Sequence, residues 1–286
     1  MAMANKAIIG IDLGGTKVGI GRVEDGRIVG HVSAAVSARG SEQQVVEEVV
    51  AAVARLFDPG VAGIGVGVPS VVDVEQGIVY DVQNIPSWKE VRIKEILEKR
   101  FGRPVYVNND ANCFAVGEKH FGKGVKFRHL VGLIVGTGLG SGLILNGRLY
   151  SGPNCGAGEF GMVPYKDSIL EHYASGQFFT REYGLKGEEV HLRAVTGDGE
   201  ARAVFERFGS YLGDALMIIM LAVDPEAIIL GGSVSRDFPF FEKTMRERMT
   251  VFPYHKILER IVVDVSDQPQ IAILGAAALY LDARQP

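Results

Sequence analysis

Cysteine is nearly absent from this sequence of 286 residues, which contains only Cys113 and Cys155. Two widely spaced cysteines supply neither a disulfide framework nor a cysteine-rich zinc site, which excludes the class of small disulfide-stabilised domains. No stretch reaches the roughly 18 uninterrupted apolar residues that a membrane-spanning helix needs. The first residues also lack the basic start, apolar stretch and cleavage site of a signal peptide. We therefore expect a cytoplasmic protein with reduced thiols and no membrane partner.

A strong charge of either sign is also lacking. The formal net charge is −4, which gives no electrostatic basis for binding nucleic acid, although an anionic substrate needs only a local field. Glycine, in contrast, is abundant, with 37 residues beside a hydrophobic content of 47%. Because apolar residues are also plentiful, this glycine content indicates many tight turns in a globular protein rather than disorder.

The two halves of the sequence repeat one pattern of strand, glycine-rich turn, strand and hairpin turn. In the first half the strands are predicted at 7–11, 17–23 and 27–36, with turns at 12–16 and at Glu24-Asp25-Gly26. In the second half the strands are predicted at 129–135 and 141–146, with turns at 136–140 and Asn146-Gly147. This repeat indicates an internal duplication and, with the helices that follow, an α/β fold.

Hydrophobic periodicity and turn residues predict the other elements. The predicted helices span 41–57, 91–101, 168–184, 187–195, 199–222, 237–249 and 271–283. The predicted strands span 61–68, 104–108, 226–230 and 261–265. No low-complexity linker separates the halves, so we expect two packed lobes with a cleft between them.

The glycine-rich turns are candidate phosphate-binding loops. Asp12-Leu13-Gly14-Gly15-Thr16-Lys17 and Gly136-Thr137-Gly138-Leu139-Gly140 each let backbone N–H groups approach a phosphate closely. Asp12 could hold Mg²⁺ through water. The alternative for either turn is an ordinary strand connection, but two such turns at equivalent places favour phosphate binding. Neither turn is a Walker A loop.

Asp110 is the candidate catalytic base. It lies in Asn108-Asn109-Asp110-Ala111-Asn112, directly after a predicted strand and at the start of a helix. A carboxylate in such a place can accept a proton as a hydroxyl attacks phosphorus. The alternative is that Asp110, or an asparagine before it, caps the helix.

Three further segments carry candidate binding residues. Glu159 and Glu171 are carboxylates that suit polyol recognition, because each oxygen can accept from a separate hydroxyl, and the alternative for either is a solvated surface charge. Asn84 lies in a turn that also holds the single tryptophan, Trp88. Gly231-Gly232 follows a predicted strand and could pass close to an adenosine, or form a plain strand-to-helix turn.

In this order, the segments resemble the ROK family of bacterial sugar kinases and sugar-responsive repressors over nearly the whole chain. The most specific motifs are Gly67-Val68-Pro69, Asn84-x-Pro86-x-Trp88, Asn109-Asp110-Ala111-Asn112, Gly136-Thr137-Gly138-Leu139-Gly140 and Gly158-Glu159-Phe160-Gly161. The resemblance implies a two-lobed actin-like ATPase (ribonuclease H-like) fold, usually homodimeric, which binds a sugar and Mg²⁺-ATP in the cleft. The lobes would span 1–115 and 116–270, with the C-terminal helix, 271–286, packed back on the first.

The resemblance also implies a role for each candidate residue. Asp110 would be the general base, and Asp12 would lie near the metal and phosphates. The expected sugar-binding residues are Gly67, Asn84, Asn109, Asp110, Glu159 and Glu171. The expected nucleotide- and phosphate-binding residues are Asp12, Gly14, Gly15, Thr16, Lys17, Thr137, Gly138, Gly231 and Gly232.

The sequence departs from the family pattern at two places. The pattern Glu-x-Gly-His reads Glu159-Phe160-Gly161-Met162 here, and the cysteine-rich zinc loop that normally follows is absent. Since all four family zinc ligands are missing, we expect no structural zinc. Loss of the histidine removes a polar contact to the sugar and could change which sugar is accepted.

The resemblance favours ATP-dependent phosphoryl transfer to a hexose hydroxyl, by analogy the 6-hydroxyl of glucose or a related hexose or N-acetylhexosamine. A repressor of the same family would need an additional N-terminal helix-turn-helix domain, and we expect none because the phosphate loop begins at residue 12. An ATPase that acts on a protein partner is not favoured, because Asn84 and Glu159 suit a small polyol. A non-catalytic sugar sensor is the remaining alternative.

Overall fold

The computed structural model describes residues 6–82 and 84–285. The chain divides into two compact units. The first comprises the described residues of Met1–Lys126, Gly142–Ala157 and Asp267–Pro286. The second comprises Phe127–Ser141 and Gly158–Ser266. Within the described part of the chain, no helix is long and apolar enough to cross a membrane.

The first part of the chain begins with three strands, and helices and further strands follow. Its elements are β1 (Ala7–Leu13), β2 (Lys17–Glu24), β3 (Arg27–Ala35), α1 (Glu42–Ala54), β4 (Val61–Val68), β5 (Val71–Asp73), β6 (Ile78–Tyr80), β7 (Glu90–Val91), α2 (Ile93–Phe101), β8 (Val105–Asn109) and α3 (Asp110–Phe121). Ser41 caps α1, because its side chain accepts a hydrogen bond from the Gln44 N–H. The short strands β5, β6 and β7, which form a separate antiparallel sheet, were not predicted.

The second part of the chain begins with strands and is then mostly helical. Its elements are β9 (Leu130–Val135), β10 (Leu139–Leu145), β11 (Arg148–Tyr150), a 3₁₀ helix (Phe160–Met162), β12 (Pro164–Tyr165), β13 (Ser168–Ile169), α4 (Glu171–Ala174), α5 (Gln177–Tyr183), α6 (Gly187–Val195), α7 (Gly199–Val223), β14 (Ala227–Gly231), a 3₁₀ helix (Val234–Asp237), α8 (Phe238–Met249), α9 (His255–Leu258), β15 (Val262–Val265) and α10 (Ile271–Asp282).

The two five-stranded sheets have the same strand order. The first runs β3-β2-β1-β4-β8 and the second β11-β10-β9-β14-β15. In the first sheet β1, β2 and β3 pair antiparallel, whereas β4 and β8 continue parallel to β1. In the second, β14 pairs parallel with both β9 and β15, and β11 pairs antiparallel with β10. The duplication predicted from the two glycine-rich turns is therefore confirmed.

The first sheet is packed between helices through small residues. On one side α1 buries a face of four valines, Val45, Val46, Val49 and Val53. Helix α10 contacts α3, β1 and β4. Its backbone comes so close that a Cβ atom on Gly65 of β4 would lie 1.7 Å from the Ala276 carbonyl oxygen. Glycine at this position thus permits a packing distance that no other residue allows.

The prediction of one helix at 168–184 is wrong at Ser168–Ile169, which form β13, and at Ser175, which separates α4 from α5. Residues 164–169 form the hairpin of β12 and β13, and the helical part is broken into α4 and α5 at Ser175, where the backbone is extended. The hairpin is closed by the Leu170 N–H, which donates to the Val163 carbonyl at 2.9 Å. The residues on either side of this hairpin include both acidic candidates, Glu159 and Glu171.

Candidate functional site

Three parallel strands of the first unit end together at one edge of its sheet. Asp12 of β1 is in register with Gly67 of β4, and Gly67 is in register with Asn108 of β8. Because the carboxyl ends of parallel strands meet at the same edge, these residues and Asp110 are brought together. A Cβ atom on Gly67 would lie 3.1 Å from the Cys113 sulfur, so glycine lets helix α3 pack closely against this edge.

Asn109 and Asp110 have different positions in the turn from β8 into α3. Asn109 is the N-cap, and its side-chain oxygen accepts from the Ala111 N–H at 2.8 Å. The Asn109 amide nitrogen donates to the Ser70 carbonyl at 3.3 Å. Asp110 is the first residue of the helix, and one of its carboxylate oxygens also accepts from Ala111 N–H, at 2.8 Å. The capping alternative therefore applies to Asn109, and Asp110 lies beside the cap.

The carboxylates of Asp12 and Asp110 both affect the pKa of the same buried thiol, that of Cys113. Burial, followed by the negative charges of Asp110 and Asp12, raises the pKa of Cys113 well above its usual value. Burial also raises the pKa of Asp12 itself, and the nearby Lys17 ammonium opposes that effect. Both carboxylates therefore lie within electrostatic reach of the Cys113 thiol, in a region of restricted solvation.

The donor atoms at Asp12 fit a magnesium ion. Mg²⁺ prefers carboxylate and water oxygens and is held by few protein ligands, so a single partly buried carboxylate such as Asp12 suits it. Among residues 6–82 and 84–285, no cluster of three or more His, Cys, Asp or Glu side chains is arranged to hold a metal by itself. The expected absence of structural zinc stays a prediction.

The first glycine-rich turn is tight and contacts Asn84. The Gly14 N–H donates to the Lys17 carbonyl at 3.0 Å, and the Thr16 carbonyl accepts from Val36 N–H at 3.0 Å. A Cβ atom on Gly15 would lie 2.3 Å from the Asn84 Cβ. The structure thus brings the candidate phosphate loop and the candidate sugar amide together. Trp88, in contrast, is fully buried in the core of the first unit.

In the second unit, Glu171 packs against the second glycine-rich turn. One Glu171 oxygen accepts from the Leu139 N–H at 2.9 Å, and the other accepts from the Gln177 amide at 2.7 Å. A Cβ atom on Gly138 would lie 2.5 Å from the same Glu171 oxygen. Glu171 is therefore fixed in place by hydrogen bonds and is not the solvated surface charge of the alternative interpretation.

Glu159 lies within electrostatic reach of Glu171. Burial first, and then the charge of Glu171, raises the pKa of Glu159, although its side chain is largely exposed. Met162, which replaces the histidine of the family pattern, is 54% exposed, and its N–H donates to the Glu159 carbonyl at 3.1 Å. The methionine therefore lies one 3₁₀ turn from the carboxylate.

The second turn also forms one wall of a cavity of about 960 Å³ that lies wholly within the second unit. Thr137 lines it directly. Gly232, with a φ of 90°, brings its backbone against Gly136, since a Cβ there would lie 3.0 Å from Gly136 N. Gly231 ends β14 in register with Ile134 of β9.

The cavity contains residues that the sequence interpretation missed. Three basic side chains, Arg181, Lys186 and Arg236, line it together with His191 and Asp237. Asp237 is 7% exposed, and burial raises its pKa while a 2.5 Å hydrogen bond with His191 opposes that effect. These residues come from α5, α6 and the turn after β14, so their spacing in the sequence gives no signal of their proximity.

Comparison with known proteins connects these features to one family. Residues 8–283 match the ROK family. The glucokinase of Thermotoga maritima is 31% identical over 97% of this chain and 98% of its own length. An N-acetyl-D-glucosamine kinase of Escherichia coli is 32% identical over 84% of this chain and 88% of its own length.

Solved structures agree with this result. The ROK hexokinase of Thermus thermophilus has a TM-score of 0.81 and 28% identity, covering 97% of this chain and 99% of that one. A ROK family glucokinase of Streptomyces griseus, solved with glucose and AMPPNP, has a TM-score of 0.78 and 27% identity, covering 98% of this chain and 100% of that one. The predicted actin-like ATPase fold class is thereby confirmed, and the chain belongs to the ROK family.

Proposed function

We propose that this protein is an ATP-dependent hexose kinase, which transfers the γ-phosphoryl group of ATP to a sugar hydroxyl. The relatives that cover nearly the whole chain are a glucokinase and an N-acetylglucosamine kinase, and a similar structure holds glucose with an ATP analogue. The observation that carries the proposal is the convergence of Asp12 and Asp110 at the carboxyl ends of β1 and β8. This edge of an α/β sheet is where such folds bind ligands.

Asp110 would act as the general base. At the first position of α3, its carboxylate is held by the Ala111 N–H and lies next to the Asn109 amide. As the sugar oxygen attacks the γ-phosphorus, Asp110 accepts the hydroxyl proton, so that the attacking oxygen gains negative character without a free alkoxide. The bond between the γ-phosphorus and the β,γ-bridging oxygen breaks as the new bond forms, so ADP leaves and the other product is the sugar phosphate, by analogy with the family the 6-phosphate.

Each unit offers candidate groups for the sugar. In the first unit, Asn84 and Asn109 offer amides, and Gly67 lies at the strand end beside Asn109. In the second unit, Glu159 and Glu171 offer carboxylate oxygens to separate hydroxyls. Glu171 suits this role because Leu139 and Gln177 already fix its orientation. A pre-oriented acceptor loses little entropy on binding and therefore discriminates well between epimers.

In the second unit, the nucleotide would be bound by the glycine-rich turn at 136–140 and the cavity beside it, with the Gly138 N–H and the Thr137 hydroxyl as donors to phosphate. In the first unit, the turn at 12–17 offers the N–H groups of Gly15 and Thr16 and the Lys17 ammonium as phosphate donors, while the Gly14 N–H closes the turn on the Lys17 carbonyl. The cavity beside Thr137 and Gly231-Gly232 would take the adenosine, and its basic side chains suit a ligand that carries phosphate. Mg²⁺, held through water by Asp12, would supply charge neutralisation of the phosphates.

A coupled assay of ADP release tests this proposal with Mg²⁺-ATP and a panel of hexoses and N-acetylhexosamines. We expect sugar-dependent turnover, and Asp110→Asn should lower kcat by about 10²- to 10⁴-fold, the usual contribution of a general base. Asp81→Asn, at an exposed position paired with Lys89, is the matched control and should keep full activity. An unchanged kcat in Asp110→Asn would contradict the assignment of the base.

The same assay separates the kinase from a sugar sensor. A sensor would bind a sugar in calorimetry but release no ADP with any member of the panel. We favour the kinase because Asp110 and both glycine-rich turns are present. The homodimer, the cytoplasmic location and the correspondence of the two units to the expected lobes are part of the proposal as well.

A further inference from the structure

A short hairpin links the two acidic residues proposed to bind the sugar. After Glu159 the chain forms the 3₁₀ helix Phe160–Met162, then β12 and β13, and after Leu170 it reaches Glu171, the first residue of α4. Only two residue pairs, Pro164 with Ile169 and Tyr165 with Ser168, hold the two strands together. A hairpin with so few pairs is not stable by itself, so its position depends on side-chain packing.

Lys166, at the tip of this hairpin, has an unusual backbone. Its φ is 52°, in the left-handed region that glycine adopts without steric cost and lysine does not. Its ammonium nitrogen lies 4.1 Å from the ring centroid of Tyr211, 5.3 Å from that of Tyr173 and 5.7 Å from that of Tyr165. We infer that contact with these aromatic rings is the reason why lysine, rather than glycine, occupies this left-handed position.

The three tyrosines form a cluster that joins the hairpin to the helical core. Tyr165 belongs to β12, Tyr173 to α4 and Tyr211 to α7, and the ring centroids of Tyr173 and Tyr211 are 5.2 Å apart in an edge-to-face arrangement. The Tyr165 hydroxyl donates to Asp214, and Asp214 also accepts from Arg248 Nε at 2.6 Å. Tyr211 and Tyr173 are 9% and 6% exposed. The cluster is thus anchored on α7, the longest helix.

Two basic side chains, Arg207 and Lys166, interact with Tyr211. Burial raises the pKa of Tyr211, but hydrogen bonds to Arg207 and Lys166 outweigh that effect, and the pKa lies below its usual value. The Lys166 contact thus has both an aromatic and a polar component. Loss of the ammonium would leave the hairpin attached to α7 mainly through Tyr165 and its partner Asp214.

We propose that Lys166, by stacking on Tyr211, Tyr173 and Tyr165, is a positioning residue that holds Glu159 and Glu171 in the geometry needed for sugar binding. This inference rests on the proposed sugar kinase function. The role assigned to Lys166 is indirect, because the contacts of its ammonium are with tyrosine rings. It acts through the hairpin, which fixes the two ends of the segment that carries both carboxylates.

The variant Lys166→Gly tests this role, because it removes the ammonium and also the steric strain of a side chain on a left-handed backbone. If the side chain has no role in the sugar site, KM for the sugar should not change. We expect KM for the sugar to rise about two- to fivefold, the loss expected for the cation–π contact of an exposed lysine. kcat and KM for ATP should stay within about twofold, since neither depends on ground-state sugar contacts. Lys166→Arg should restore most of the affinity, because arginine also stacks on tyrosine.

Hydrogen exchange gives a second readout that does not depend on catalysis. In Lys166→Gly the amides of residues 159–174 should exchange faster, including the Leu170 N–H that closes the hairpin. Asp25→Gly is the matched control, because Asp25 is an exposed hairpin residue of the first unit with a φ of 48°. It should change neither sugar KM nor exchange in this segment.

Two results would overturn the positioning role. Unchanged exchange and unchanged sugar KM in Lys166→Gly would show that the lysine is dispensable. Faster exchange with unchanged sugar KM would show that the cluster supports the fold but not the sugar site. If the unmodified protein neither phosphorylates nor binds any sugar, the proposed function itself fails, which is a different outcome from an active protein that is insensitive to Lys166.

Discussion

At the scale of single residues, Asp12 shows a conflict between stability and function. Its carboxylate is partly buried at the end of β1, and burial raises its pKa. A raised pKa in the folded state means that the neutral acid is favoured by folding, so ionised Asp12 lowers the stability of the protein at neutral pH. Such a penalty is retained where the charge is needed, as it would be for Mg²⁺-ATP binding.

Asp12→Asn should therefore raise the free energy of unfolding at pH 7 while it abolishes Mg²⁺-ATP turnover. The gain should shrink as the pH is lowered from 7 towards the usual aspartate value of 3.8, because unmodified Asp12 then becomes protonated and loses its penalty. Urea unfolding over this pH range measures the effect. Asp81→Asn, at a position 75% exposed, should show no such pH-dependent gain. A loss of stability in Asp12→Asn at pH 7 would contradict the burial argument.

At the scale of secondary-structure elements, α10 returns from the C-terminal part of the chain to complete the first unit. It lies so close to β4 and α3 that added side-chain atoms would overlap backbone on both sides. A Cβ on Gly65 would be 1.7 Å from the Ala276 oxygen, and a Cβ on Gly275 would be 2.0 Å from the Cys113 oxygen. The strand ends that carry Asp12 and Gly67 therefore depend on small residues behind the sheet.

Gly65→Ala should destabilise the first unit by about 1–3 kcal/mol or more, the cost of overpacking a core that must shift backbone to accommodate a methyl group. Chemical unfolding followed by the fluorescence of Trp88, which is buried in this unit, measures the change. Gly156→Ala, where a Cβ would meet no atom within 4 Å, is the matched control and should be close to neutral. Equal stability of the two variants would contradict the packing account.

The elements differed in how well the sequence predicted them. The strands β1 to β4 and the turn Asn146-Gly147 were predicted correctly, because buried strands with glycine-rich turns have strong local signals. The predicted helix at 168–184 included β13, because a strand of two residues has no periodicity of its own, and β12 was not predicted. The hairpin contacts Tyr173 and Tyr211 through Lys166, and local sequence patterns do not reveal such contacts.

The residues of the candidate site also differ in how well local sequence patterns predict them. Asp110, Asn109 and the two glycine-rich turns could be predicted because each follows a strand directly. The contact between Gly15 and Asn84, and the hydrogen bond between Glu171 and Leu139, depend on tertiary packing. His191 and Asp237 could not be predicted, because they meet only when α6 and the turn after β14 are folded together.

At the scale of the whole molecule, two sheets of the same strand order each place a glycine-rich turn after their first strand. In the first sheet this turn follows Leu13, and in the second it follows Val135. The acidic residues differ between the units: Asp110 opens a helix in the first, and Glu171 packs on the turn in the second.

Ligand binding should stabilise the folded protein, and this effect can identify the sugar. A sugar at a hundred times its Kd adds about 2.7 kcal/mol to the free energy of unfolding, which raises Tm by roughly 5 °C in a protein of this size. We expect a shift of this order for one or more of D-glucose, D-mannose, D-fructose and their N-acetylated amino sugars. Asp110→Asn should keep most of the shift, because it removes proton transfer and retains the other hydroxyl contacts.

L-Glucose is the matched control for this measurement, since it has the same composition and osmotic effect as D-glucose but the wrong stereochemistry for pre-oriented carboxylates. It should leave Tm unchanged. An equal shift with both enantiomers would mean that the sugars act on the solvent rather than on a site.

Because Met162 replaces a histidine of the family pattern, Met162→His should alter the order of the sugars that shift Tm, and an unaltered order would show that this position takes no part in sugar choice.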